Sequence, residues 1–163
     1  MANVESFKSE FKEIVRSNRF RLSGPAVPPK PELCLSAQVP AISLATTEYR
    51  DGKNSAPWKI PYDSILSEAV LTFRDDENMT NRSFFEDWYE EIVTSNGFGY
   101  FDDFTRAYLK IEQLNRDDSV AYSWRLIDVY PLSLSEIQYD NSSQNEVTTW
   151  SVSLAYHDAD WIG

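Results

Sequence analysis

Three acid pairs, one cysteine and one histidine are the residues of this chain with the most chemical reach. Asp75-Asp76, Asp102-Asp103 and Asp117-Asp118 are adjacent carboxylates, and carboxylates facing each other across a bond can hydrolyse a glycoside. Aspartate also tolerates turn conformations and hydrogen-bonds to nearby backbone. All three pairs fall where the flanking patterns end, which favours turns. Cys34 sits in an alternating apolar-polar run, the place of a packed thiol and not of a nucleophile. His157 stands beside Asp158 and Asp160. One histidine excludes a multi-His metal cage, and the trio reads as a solvated strand end. Gly97-Phe98-Gly99 lacks the third glycine and the following helix of a phosphate loop, so it reads as a turn. No serine lies in a Gly-x-Ser-x-Gly elbow. The chain reads as a non-enzyme with no cofactor and no metal, an acid-pair hydrolase being the remote alternative.

Charge narrows the partners. The 163 residues carry 26 acids against 15 bases, a net of −11. Residues 75–103 hold nine acids and one base, and residues 128–163 hold six acids and no base. Residues 1–31 reverse the sign, with six bases and three acids. Phosphate binding needs clustered Lys and Arg, so this balance makes a poor candidate for gripping nucleic acid and an equally poor one for an anionic membrane surface. No apolar run approaches the roughly 18–20 residues that span a bilayer, and no signal-peptide h-region is visible. Apolar residues make up 42% and aromatics 14%, with a mean hydropathy of −0.47. This reads as a reduced, cytoplasmic-type globular protein rich in rings.

The elements follow from periodicity. Phe7, Phe11, Ile14 and Val15 share a face of a helix over 4–15. A brief strand lies at 19–22. Four prolines in 24–31 make a stiff, extended connector. Leu33, Leu35, Ala37 and Val39 form one face of a strand. Residues 42–49 form another, 50–61 an exposed loop, and 67–74 a strand burying Ala69, Leu71 and Phe73. The clearest helix spans 81–94, with Phe84, Phe85, Trp88, Tyr89 and Ile92 as its packing stripe, Thr80 or Asn81 as cap and Asn96-Gly97 as left-handed stop. Strands resume at 105–114, 120–130 and 147–157. The expected architecture is one domain over 1–163, mainly β (α+β). An N-terminal arm and connector occupy 1–32. An antiparallel β-sandwich or barrel with one flanking helix occupies 33–163.

Surplus stickiness stands out. Trp58, Tyr62 and Trp161-Ile162 fall in loops or arms, where large apolar groups need a partner. With a basic arm, an acidic body and open sheet edges, they point to self-assembly into a ring.

The residues VLTFRDDEN (70–78), FFEDWYEEI (84–92), DVYPLSLSEIQYD (128–140) and EVTTWSVSLAYHDADW (146–161) resemble, in order, the tail tube proteins of contractile-tailed bacteriophages. The ending Ala155-Tyr156-His157-Asp158 is one residue longer than the family's Ala-Tyr-Asp. The resemblance implies hexameric rings closing a continuous inner β-barrel and stacking into a hollow tube. Double-stranded DNA passes through the tube without tight binding. It also implies a sheath around the tube, baseplate and tail terminator partners, and a place in the virion after synthesis in the host cytoplasm. The family's ring-contacting segments map onto 1–21 and 47–62, which selects Phe7, Phe11, Tyr49, Arg50, Asp51, Trp58, Ile60 and Tyr62, with Trp161, as the stacking set. A tube-initiating baseplate ring and a type VI secretion tube share the fold as alternatives. An acidic lumen wall that repels DNA weakly is a further expectation.

Overall fold

A computed structural model describes residues 4, 16–52, 56–142 and 147–163; the expected 4–15 helix, with Phe7 and Phe11, otherwise lies outside them. In chain order the strands are β1 (Phe20–Ser23), β2 (Cys34–Gln38), β3 (Ile42–Tyr49), β4 (Trp58–Leu66) and β5 (Ala69–Arg74). Helix α1 (Thr80–Ile92) follows, then β6 (Val93–Thr94), β7 (Gly97–Phe98) and the short helix α2 (Phe101–Phe104). The chain ends with β8 (Arg106–Leu114), β9 (Val120–Leu134), β10 (Thr149–Ala155) and β11 (Asp158–Ile162).

Period-two alternation builds a seven-stranded antiparallel sheet in the order β1-β8-β9-β10-β5-β2, with β11 also paired to β9. Strand β9 is the spine. Its first half pairs with β8 and β11 and its last residues with β10. The inward set changes from Leu126 to Val129, a change of parity that a regular strand cannot make. Asp128 stands between them at φ +53. The opposite chain kinks at the same level, where β10 gives way to β11 and the His157 N–H donates to the Ile127 carbonyl at 2.9 Å. The sheet therefore divides into two halves, β1-β8-β9-β11 and β9-β10-β5-β2. They share one core that includes Leu22, Leu109, Ile111, Leu126, Leu71, Val152 and Leu154.

Helix α1 closes that core. Phe85 meets Phe73 at 6.0 Å and Trp150 at 5.8 Å between ring centroids, and Trp88 stacks on Phe85 at 6.2 Å. The Trp88 indole N–H donates to the Phe104 carbonyl at 2.6 Å, while the Arg106 guanidinium covers its ring at 4.9 Å. Phe85, Trp88 and Ile92 are buried and Phe84 partly so. Tyr89, expected in the stripe, is instead 53% exposed, because it lies at the margin of an arc that Phe85, Trp88 and Ile92 already fill.

Other local expectations change for physical reasons. Neither Thr80 nor Asn81 caps the helix. Asp75 accepts from the Asn81 and Arg82 N–H groups at 3.2 and 2.8 Å, and Asp76 from the Thr80 N–H at 2.9 Å, which satisfies the unpaired donors of the first turn. The helix stops at Ile92, and Gly97 (φ +115) serves a small β6–β7 hairpin instead. A bulge between Cys34 and Ser36 turns Leu35 outward and sends Cys34 toward the core. The loop after Tyr49 is shorter than expected, since β4 begins at Trp58. Strand β9 runs on through Pro131, and α2 adds a second, four-residue helix.

The Pro-rich segment packs onto the body. Ala26 is fully buried. Gly24 sits at φ +112, where a Cβ would meet the Tyr108 carbonyl at 2.9 Å. The wholly buried Asn81 side chain holds Lys30 from both sides, donating to its carbonyl at 2.9 Å and accepting from its N–H at 3.0 Å. The Lys30 ammonium pairs with Asp76. That ammonium first, and then the Thr80 backbone and hydroxyl donors, hold the Asp76 carboxyl well below the usual carboxylate range.

A depressed native pKa contributes stability above the unfolded value and loses it as pH falls through the native one. Urea unfolding of wild type and Asp76→Asn should therefore differ fully above about pH 5 and converge as pH drops below about 4. At the β9 corner, Asp128→Gly should fold without loss. Asp128→Val should lower the unfolding free energy by about 1–3 kcal/mol, because a β-branched residue is strained at positive φ.

Candidate functional site

Strands β3 and β4 pair only with each other among the described residues and form a ribbon apart from the main sheet. An isolated two-stranded ribbon is marginal in water, so its exposed apolar residues carry the meaning. Tyr49 opposes Trp58 and Thr47 opposes Ile60, which places Tyr49, Trp58 and Ile60 on one face near the tip, since cross-strand partners share a face. Tyr62 occupies the irregularity opposite Ala45 and Thr46. Trp58 is 68% and Tyr62 70% exposed, and Ile42, Leu44 and Ile65 toward the base are also open. Arg50 and Asp51 follow Tyr49 at the tip. The Tyr156 hydroxyl donates to the Ser67 carbonyl at the ribbon's root.

Trp161 does not join this set. It lies in β11 and not in a free arm, paired in register with Trp124 on the other half of the sheet, yet remains about half exposed. Surfaces that periodicity missed include Phe98 and Tyr100, the most exposed rings of the described residues, and Leu35 and Leu132 at sheet edges. The run Gly97-Phe98-Gly99-Tyr100-Phe101 carries a signal for the first two, because a turn rarely holds so many rings. Leu35 is outward only because of the bulge.

Of the residues with chemical reach, Asp75, Asp76, Cys34, Asp117 and Asp160 have local structural partners. Asp75 and Asp76 cap α1. Asp117 accepts from the Ser119 hydroxyl at 2.6 Å, and this hydrogen bond lowers its pKa. Burial pushes the Cys34 thiol up to about 11, far from a reactive thiolate. The Arg125 side chain hydrogen-bonds Asp160 and depresses its carboxyl. No group of three or more His, Cys, Asp or Glu able to hold a metal occurs among the described residues. None of their helices is long and apolar enough to cross a membrane.

The described residues thus combine open sheet edges, an apolar ribbon paired only with itself and exposed aromatic side chains. Residues 31–160 match the family model described as phage tail tube protein. The chain belongs to the phage tail tube protein family. This tail tube family is structural, and its members are tail components. The fold is similar to a chain of an extracellular contractile injection system, the PVC sheath-tube complex in its extended state. That match has a TM-score of 0.71 and 20% identity and covers 99% of each chain. It is also similar to the PVC sheath/tube terminator (TM-score 0.72, 20% identity, 92% of this chain and 97% of that one). A weaker likeness links it to the Hcp1 protein of E. coli EAEC 042 (TM-score 0.51, 11% identity, 87% of each). No curated protein matches.

Because the ribbon stands apart from the core, Trp58→Ser with Tyr62→Ser should leave the unfolding free energy of the single chain nearly unchanged. The expected shift is within about 0.5 kcal/mol, the range of exposed substitutions, as read by chemical denaturation.

Proposed function

We propose that six copies of this chain close into a ring by pairing sheet edges, and that rings stack through the β3–β4 ribbon into a hollow tube. Double-stranded DNA passes down the tube during ejection. The observation that carries the reading is the ribbon itself: an exposed apolar hairpin on a chain whose residues 31–160 match the tail tube family. The stacking set is Tyr49, Arg50, Asp51, Trp58, Ile60 and Tyr62, with Phe7 and Phe11 of the arm as further contacts, while Trp161 of β11 offers a separate contact surface. The acidic face of α1, with Glu86, Asp87, Glu90 and Glu91 exposed, offers an outer surface to a sheath of opposite charge. Similar folds in a sheath-tube complex, a sheath/tube terminator and an anti-feeding prophage baseplate support sheath, terminator and baseplate as partner classes. Coverage of 99% in both directions with the sheath-tube chain supports a tube-body subunit over an initiating ring.

Negative-stain microscopy of the purified protein tests this directly. Wild type should form rings or hollow rods. Trp58→Ser with Tyr62→Ser should leave single rings or monomers and abolish long rods. Compact single chains at high concentration, or full-length rods from the double variant, would overturn the ring or the stacking assignment respectively.

A further inference from the structure

The proposed ring needs one half of the sheet to run on from copy to copy, and the fold offers two. We infer that the closing sheet is β2-β5-β10-β9, and that its face turned away from α1 lines the bore with uncharged hydroxyl groups. This rests on the ring reading above and adds which surface the DNA meets.

The edges supply the first argument. Among the described residues β2 has β5 as its one strand neighbour, and β9 beyond Val129 has β10. The four strands alternate in direction, so the β9 end of one copy laid beside β2 of the next is again antiparallel, and every seam is alike. Both edges carry open apolar side chains, Leu35 on the β2 bulge and Leu132 on β9. Tyr89 and Pro131–Leu134, Leu132 among them, line an open hollow of about 220 Å³ at the level where a neighbouring β2 would lie. Closing many strands leaves an aqueous channel, as it does in barrels of 16 or more.

The charge of the two outer faces supplies the second. Register places Ser36, Thr72 and Ser151 in one row and Gln38, Val70, Ser153 and Ser133 in the next. Their strand neighbours of opposite parity, including Leu71, Phe73, Trp150 and Val152, are buried under α1. These two rows hold no ionisable side chain; Arg74 follows level with Thr149. The outer face of the other half is laced with charge instead. Arg21 pairs with Glu112 at 2.7 Å, Lys110 lies in register with Arg125, and Arg125 bonds Asp160. A wall repeating Lys110 beside the Arg21–Glu112 and Arg125–Asp160 pairs around a ring would set charged groups against a duplex at every level. A hydroxyl wall neither holds nor repels it. The acids of α1 lie across the core from these rows, so this inference replaces the expected acidic wall with uncharged hydroxyl rows that end at Arg74.

Thiol labelling of assembled tubes tests the assignment, using Ser153→Cys, Lys110→Cys and Glu90→Cys singly. The slow-reacting Cys34 of wild type sets the background. Two reagents are applied: a small maleimide dye, and a maleimide carried on a folded protein too wide for the bore. Ser153→Cys should take the dye and exclude the protein-borne reagent, while Glu90→Cys takes both. Ser153→Cys reacting with both or with neither in intact tubes overturns the inference, as does dye-only labelling of Lys110→Cys or Glu90→Cys. If Ser153→Cys does not assemble, Thr72→Cys in the adjacent row repeats the measurement. Absence of tubes from wild type counts against the ring reading instead.

Discussion

The ring cluster between α1 and the β5–β10 pair is the interaction on which the rest of the structure depends. Phe73, Phe85, Trp88 and Trp150 fill the space under the helix with contacts of 5.2–6.2 Å between centroids. Burying large side chains of this kind contributes about 1.5–3 kcal/mol each. The cluster also assigns the faces. With one side of β9-β10-β5-β2 committed to the helix and the core, the other side is left to water or to sister molecules. A tube wall needs such a one-sided sheet, apolar behind and polar in front.

Charged groups in this protein mostly fasten elements. Asp75 and Asp76 end the wait of three backbone N–H groups at the start of α1, and Asp76 and Asn81 tie in the proline-rich segment through Lys30. That tether changes the meaning of residues 24–31. Proline stiffness alone reads as a spacer, but burial of Ala26 and the close approach of Gly24 to Tyr108 make the segment a strap across the body. Two of the acid pairs that could have served hydrolysis hold backbone instead, Asp75-Asp76 at the start of α1 and Asp117 at the Ser119 N–H.

Much of the fold was legible in the chain. Strands β5, β8 and β10 and helix α1 appear within a residue or two of where periodicity puts them, because each has a face that must be buried. The ribbon's first strand was equally readable. Its second was not, since Pro61 and the apolar cluster around Trp58 look like a loop until a partner strand supplies hydrogen bonds. Leu35 and Tyr89 were misplaced by rules that hold for regular elements, as a bulge inverts one and the limited width of the packing arc excludes the other.

The sequence by itself determined the mainly β class, the aromatic helix, the poverty of reactive groups and the excess of sticky surface. These depend on composition and on spacing along a single element. The tertiary structure decided which carboxylates cap, where β9 turns its corner at Asp128, that Trp161 belongs to a strand, and which outer face is neutral. Those outcomes depend on pairing between segments far apart in the chain, and register across strands has no counterpart in local periodicity.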